Sequence, residues 1–301
     1  MKMQEDKEEK KEKLEERKHL VGEYLTFPTM AVNMIRADKK IKPLKYEYDK
    51  NKAQYILYFP PQLQPEEKSK KYLVVYIYGG GWKAGNPNLY KFVGRAFAKE
   101  KYHTILLGYR LTPKYQYPNQ IDDVFSGFNK ALSVLKEKDI DYSNIIVVGS
   151  SAGAHLGALL VYNKDLQKKY NVDASLFKGY VSLGGPINFD VCVNKRIASM
   201  IDQLIGDSKE YTLESVNPYN YIDGTEKTKV LCVHSEIDPI CEVDNAITFS
   251  NKINSFNKNL AKCIVIENKN IFHNDLVNGI FFDKMDRENI FPKVIEWIEE
   301  I

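Results

Sequence analysis

Gly149-Ser150-Ser151-Ala152-Gly153 constrains this chain more than any other stretch. It reads G-x-S-x-G, and its flanks give the pattern a mechanical meaning. Asn144-Ile145-Ile146-Val147-Val148 before it is a short β-branched run suited to a buried strand. Ala154 to Tyr162 after it suits a helix. Strand, sharp turn and helix together predict a nucleophile elbow, with the Ser151 hydroxyl held on a strained corner. Gly149 and Gly153 leave room for the turn and for close helix–strand packing. A plain glycine- and serine-rich loop reads the same pattern, so the neighbouring segments have to decide.

Upstream, Tyr72-Leu73-Val74-Val75-Tyr76-Ile77-Tyr78 is strand-like, and Gly79-Gly80-Gly81-Trp82 follows it directly. Consecutive glycines let a backbone turn its N–H groups into a cavity. Donors aimed that way stabilise negative charge developing on an acyl oxygen. The expected donors are the N–H groups of Gly80, Gly81 and Ala152. The alternative is a flexible loop; the apolar strand before it and the elbow downstream weigh against that.

With these segments on view, the chain resembles an α/β-hydrolase of the hormone-sensitive-lipase and carboxylesterase type. The branch it is most similar to holds feruloyl-esterase-like carboxylesterases and arylformamidases. Tyr78-Gly79-Gly80-Gly81-Trp82 resembles that branch's His-Gly-Gly-Gly-Trp. Tyr109-Arg110-Leu111-Thr112-Pro113, Tyr117-Pro118 and Gln120-Ile121-Asp122-Asp123 resemble its next strand and the start of its next helix. Gly149 to Leu156 resembles its elbow. The similarity covers roughly residues 45 to 300. Tyr78 departs from the pattern, standing where the family has a His that braces the glycine loop. A Tyr hydroxyl can also hydrogen-bond, but its reach differs from that of a His.

In this fold the chain order is nucleophile, acid, base. After Ser151, Lys229 to His234 reads as a buried strand, and Ser235-Glu236-Ile237-Asp238-Pro239 leaves its C-terminal end. Active residues of open parallel sheets gather at that edge. Asp238 is the expected acid, matching the family position; Glu236 and Asp244 are nearby alternatives. Lys262 to Glu267 reads as the last strand, and His273 lies in the loop after it. Histidine titrates near ~6.5 when unperturbed, close to working pH, which suits a general base. Of the five histidines, His19 lies in a charged run, His103 begins a strand and His234 precedes Asp238 within a strand. His155 falls one helical turn past Ser151, a packing or supporting position. His273 is the expected base.

Composition fits a protein with a substantial core. Of 301 residues, 44% are hydrophobic and 12% aromatic, enough for one large α/β domain or two small ones. The net charge of +3 comes from interspersed Lys/Arg and Asp/Glu, giving no nucleic-acid surface. No run of about 18 apolar residues occurs, so no membrane span is expected. The start is highly charged, without the apolar stretch of a signal peptide, and its acidic residues argue against a transit peptide. Cys192, Cys232, Cys241 and Cys263 show no C-x-x-C spacing, and Cys232 and Cys263 fall in apparent central strands as buried thiols. A cytoplasmic, reducing location is the expectation.

Three parts are legible along the chain. Residues 1 to 40 form an extension: Gln4 to Lys18 is almost all charged, a solvated or frayed helix, and apolar residues return from Leu20 to Ile35. In related esterases N-terminal helices cover the acyl pocket; packing on the surface alone is the other reading, favoured for the charged run. Residues 41 to 301 carry the hydrolase domain. Its expected elements are a hairpin from Tyr46 to Phe59, a helix from Leu89 to Lys101, a strand from Thr104 to Leu111, and an amphipathic helix from Ile121 to Lys138. After the elbow come a strand from Gly179 to Gly184 and a C-terminal helix near Phe291 to Glu300. Pro186 to Thr228 is too long for a plain crossover and reads as a small insertion at the pocket rim, with a short helix from Ile197 to Ile205.

The predicted fold is therefore an α/β-hydrolase: a mostly parallel central sheet, helices on both faces, and a rim insertion. The resemblance implies a serine esterase cleaving small carboxylic esters with Ser151, Asp238 and His273, and needing no metal or organic cofactor. Trp82, Tyr78 and Tyr109 are candidates for the substrate pocket; each fits the core equally well. Two alternatives stay open. One is an arylformamidase acting on N-formylkynurenine, and the other is a non-catalytic ligand-binding homologue.

Overall fold

Two glycine-terminated strands, neighbours in space but far apart in sequence, organise the molecule. The computed structural model describes residues 14–15, 17–26, 28, 41–279 and 288–301. Eight strands form one sheet in the order β1-β2-β4-β3-β5-β6-β7-β8. β1 (Leu44–Glu47) and β2 (Tyr55–Phe59) make the opening hairpin, and β2 also pairs antiparallel with β4 (His103–Leu107). The remaining pairings are parallel: β3 (Leu73–Ile77) with β4 and β5 (Ile145–Ser150), then β6 (Phe177–Leu183), β7 (Lys229–Ser235) and β8 (Ala261–Ile266).

From β3 the chain moves outward to β4, then crosses back over β3 to β5. The strand order thus reverses between β3 and β5. Ligands of open α/β sheets bind in the crevice outside the strand ends at such a reversal. Ile77 pairs with Gly149, so the glycine loop after β3 and the elbow after β5 emerge side by side.

Central strands are buried along their whole length because both faces of the sheet are covered. α1 (Lys91–Lys99) meets α6 (Ile290–Glu300) through Phe97 and Phe291, whose rings are 5.2 Å apart. α2 (Asn119–Glu137), α3 (Ala152–Tyr162) and α5 (Asp244–Phe256) form the other layer, α3 meeting α5 through Tyr162 and Phe249. Adjacent strand residues alternate between the layers. Val147 lies against Gly157 of α3, whereas Ile146 lies by Gly179 together with Trp297 of α6.

The rim insertion holds α4 (Lys195–Ile205), a short helix Leu213–Val216, and 3₁₀ turns at Phe189–Val191 and Pro218–Tyr221. Residues 17–26 are helical. Most of the charged run and the apolar positions Phe27, Met30, Val32, Met34 and Ile35 lie outside the described residues. No helix among the described residues is long and apolar enough to cross a membrane.

Two sequence expectations need correction. The strand predicted to reach Leu111 ends at Leu107, because Gly108 turns against the hairpin, where a Cβ would lie 2.3 Å from the Ala53 carbonyl. Cys263 is half-buried, not enclosed, because β8 is the edge of the sheet and not a central strand.

Gly153 is fixed by this geometry. A Cβ there would lie 2.1 Å from the Ile77 carbonyl oxygen and 2.4 Å from that of Tyr78. Gly153→Ala must push α3 away from β3, and we expect a loss of about 3 kcal/mol or more of stability in urea unfolding. A loss under about 1 kcal/mol would mean that the β3–α3 contact yields freely.

Candidate active site

β5 ends at Ser150, and Ser151 turns the corner with φ 50° and ψ −125°. A non-glycine residue in that region costs about 1–3 kcal/mol and persists only where its surroundings force it. Here they do. The Ser151 N–H donates to the Leu183 carbonyl of β6 at 2.9 Å, and the Ser151 carbonyl accepts from Ala154 at 2.8 Å. A Cβ on Gly149 would lie 2.4 Å from Ala154 Cα. Ser150 points away: its hydroxyl is buried and hydrogen-bonded to Tyr76 at 2.7 Å.

The glycine loop packs directly on this corner. A Cβ on Gly79 would sit 2.7 Å from the Ser150 carbonyl oxygen. Gly80 and Gly81 take φ of +123° and +57°, outside the usual reach of side-chain-bearing residues. Among the described residues the backbone N–H groups of Gly80, Gly81 and Ala152 have no acceptor, and all three residues line one cavity. Three unspent donors thus belong to residues on the wall of the cavity that Ser151 also lines.

Aromatic side chains hold the loop from behind. The Tyr109 hydroxyl donates to the Tyr78 carbonyl at 2.9 Å, and the Tyr78 hydroxyl donates to the Tyr109 carbonyl at 3.3 Å. Their rings stack at 4.4 Å. The Tyr90 hydroxyl reaches the Gly79 carbonyl at 3.4 Å. At the far end Trp82 donates from Nε1 to Nδ1 of His155 at 3.2 Å, and His155 Nε2 lies 2.9 Å from the Val216 carbonyl. Burial pushes His155 down to about 4, so its ring is neutral, with the Nε2 proton donated to Val216.

Asp238 and His273 meet on the same side of the sheet. His273 Nδ1 lies 2.6 Å from Asp238 Oδ2. The other carboxylate oxygen accepts from the N–H groups of Ile240 and Cys241 at 2.9 and 3.0 Å. His234 Nε2 lies 3.3 Å from Oδ2 and 2.9 Å from the Cys241 carbonyl. Burial works to raise the Asp238 pKa, but the His273 charge and the hydrogen bonds from both histidines hold it well below the usual carboxylate range. For His273 burial opposes the charge, yet the Asp238 carboxylate, its hydrogen bond and the nearby Glu23 raise it to about 9. Among the alternatives for the acid, Glu236 pairs with Lys269 on the surface and Asp244 begins α5.

Ser151 and His273 line the same cavity of about 490 Å³, and the imidazole's side-chain hydrogen bond is the one to Asp238. Catalytic hydrogen bonds are often long in a free enzyme and tighten in the substrate complex. Apolar side chains also line the cavity: Leu89, Ile197, Met200, Ile240 and Val277.

The BD-FAE family matches residues 58–253, which include the glycine loop, the elbow and Asp238. The chain belongs to the BD-FAE family. It is also similar to bovine (Bos taurus) neutral cholesterol ester hydrolase 1, with 35% identity over 127 residues, covering 39% of this chain and 30% of that protein. Carboxylesterase NlhH of Mycobacterium tuberculosis is 32% identical over 105 residues, covering 35% of this chain and 32% of its own length. The chain thus spans about a third of the length of these curated relatives. Esterase B from Lactobacillus Rhamnosis shares the fold, with a TM-score of 0.75 at 16% identity over 96% of this chain and 95% of its own. The α/β-hydrolase fold of this BD-FAE member is therefore established.

The candidate pocket residues divide. Trp82 lines the cavity, although its indole is buried and committed to His155. Tyr78 and Tyr109 do not line it; they are enclosed behind the glycine loop, each hydroxyl engaged with the other's backbone. The bracing hydroxyl is also not the expected one. Tyr78 bonds outward to residue 109, and it is Tyr109 that holds the loop's first carbonyl. Sequence reasoning missed Glu23, and it pointed to the 186 to 228 insertion as a pocket rim without singling out Ile197 and Met200, which line the cavity.

Removing the Tyr109 hydroxyl strands a buried carbonyl, which costs about 1–3 kcal/mol. We expect Tyr109→Phe to destabilise the protein by that amount in urea unfolding. Tyr78→Phe, breaking the longer bond, should cost about half as much or less. The reverse order would place the brace on Tyr78.

Proposed function

We propose that this chain is a serine hydrolase that cleaves small carboxylic esters through an acyl-enzyme intermediate. One observation carries the reading: a strained Ser151, three unspent backbone donors and His273, which is paired at 2.6 Å with the enclosed Asp238, share one mostly apolar cavity. Ser151 Oγ attacks the ester carbonyl while His273 Nε2 takes its proton. Asp238 orients the imidazole and stabilises its charged form. The Gly80, Gly81 and Ala152 N–H groups donate to the developing oxyanion. His273 then protonates the leaving alkoxide, and water, deprotonated by the same imidazole, releases the acid. Similarity to an ester hydrolase and a carboxylesterase supports the choice of an ester as substrate.

The cavity supports a short acyl group, because Ile197 and Met200 of the insertion close one side of it. We expect kcat/KM to peak at acyl chains of about two to four carbons in a p-nitrophenyl ester series, each added methylene being resisted by ~1–3 kcal/mol at most. A fluorophosphonate should label Ser151, and Ser151→Ala should abolish both labelling and turnover, whereas Ser150→Ala should label normally. Faster turnover of N-formylkynurenine than of p-nitrophenyl butyrate would move the substrate class to formamides.

The raised pKa of His273 sets a pH dependence. The base must be neutral to accept the Ser151 proton, so activity is absent below its pKa and present above it. With His273 raised to about 9, kcat/KM should climb with pH well beyond 6.5 and level off only near that value. A profile already flat at pH 7 would show that the imidazolium is not stabilised by Asp238 and Glu23 as described.

A further inference from the structure

Glu23 is a buried carboxyl whose part in the chemistry above is limited to raising the pKa of His273. It comes from the helical residues 17–26, is 3% exposed, and lines the cavity with Ser151 and His273. Its carboxylate oxygens each lie 3.2 Å from the Asn274 N–H, the residue after His273. A charge-assisted bond normally closes to about 2.7–2.9 Å, and an ionised carboxylate has about four acceptor sites. One long, shared donor leaves most of that capacity unspent. The charged groups around Glu23 are His273, Asp238 and Asp275. Burial is the main cause raising it to about 7, against the pull of His273. The cavity's other charged wall residue apart from His273 is Lys83, which is exposed. An under-satisfied buried carboxylate facing an otherwise apolar cavity is a site for a cationic hydrogen-bond donor.

Its position fixes which part of the substrate it meets. In the proposed hydrolysis His273 delivers a proton to the leaving oxygen, so groups flanking His273 flank the leaving alcohol. We propose that Glu23 is a specificity-determining residue that binds an ammonium group carried on the alcohol portion of the ester, directing the enzyme to esters of amino alcohols and against anionic ones. This inference rests on the ester-hydrolase reading for the placement of the alcohol, and its test separates the two.

Two butyrate esters of the same shape serve as probes: 2-(dimethylamino)ethyl butyrate, cationic at neutral pH, and 3-methylbutyl butyrate, its uncharged isostere. The ratio of their kcat/KM values, measured by butyrate release, is compared between wild type and Glu23→Gln, which cancels their intrinsic reactivities. We expect the ratio to fall about 10-fold or more in Glu23→Gln. Glu23→Asp, which keeps the charge, should retain part of the preference, and 2-carboxyethyl butyrate should improve in Glu23→Gln. Independently of turnover, calorimetric titration of Ser151→Ala should bind 2-(dimethylamino)ethanol more tightly than 3-methyl-1-butanol. That preference should vanish in Ser151→Ala/Glu23→Gln. Unchanged ratios and equal binding of the two alcohols would overturn the role of Glu23. If wild type hydrolyses none of the esters, the hydrolase reading fails, and the titration alone decides whether Glu23 binds an ammonium group.

Discussion

The contact between two backbones at the ends of β3 and β5 governs this structure. Gly79 leaves β3 against the Ser150 carbonyl, and Gly153 enters α3 against the carbonyls of Ile77 and Tyr78. No side chain fits between them. With the two strands locked in register by Ile77 and Gly149, the turn after β5 has no room to relax, and Ser151 is left at φ 50°. The same closeness sets the glycine loop and Ala152 on the wall of one cavity. The strained Ser151 and the unspent donors are thus products of a single steric constraint, and the energy stored at the corner is offset by the surrounding sheet.

Electrostatics builds the other half of the site from more distant chain. Asp238 is wholly enclosed, yet stays ionised because two backbone N–H groups and two imidazoles surround it. His234 contributes by lying between Asp238 and the Cys241 carbonyl, which fixes the loop that carries the carboxylate. Removing either histidine would leave a buried charge with fewer partners, a costlier change than losing a surface ion pair. Glu23 adds a third charge to this group from outside the sheet, which is why the N-terminal helical residues matter electrostatically although they contribute nothing to the sheet.

The elements that could be read from sequence are those coded within a few residues. The elbow is a local pattern, since glycine spacing and flanking periodicity specify strand, turn and helix together. Asp238 and His273 were legible as residues leaving strands in the expected chain order, and the fold brings them into contact. Glu23 was not legible: its partner lies 251 residues away, and one glutamate in a charge-rich stretch carries no mark of burial. Tyr78 and Tyr109 were misplaced in the pocket because an aromatic after a strand can face either side of the turn, and only the reciprocal hydroxyl–carbonyl contacts decide. Cys263 was misjudged for a topological reason. Sequence order does not tell which strand ends a sheet.

The link from Trp82 through His155 to Val216 has a mechanical consequence. Because the ring is neutral and donates only from Nε2, the chain of hydrogen bonds runs one way, from the glycine loop through α3 into the insertion. Swinging the Val216 segment off the sheet would strand a buried imidazole N–H and release the indole that pins the loop. The insertion is therefore hinged shut at that end.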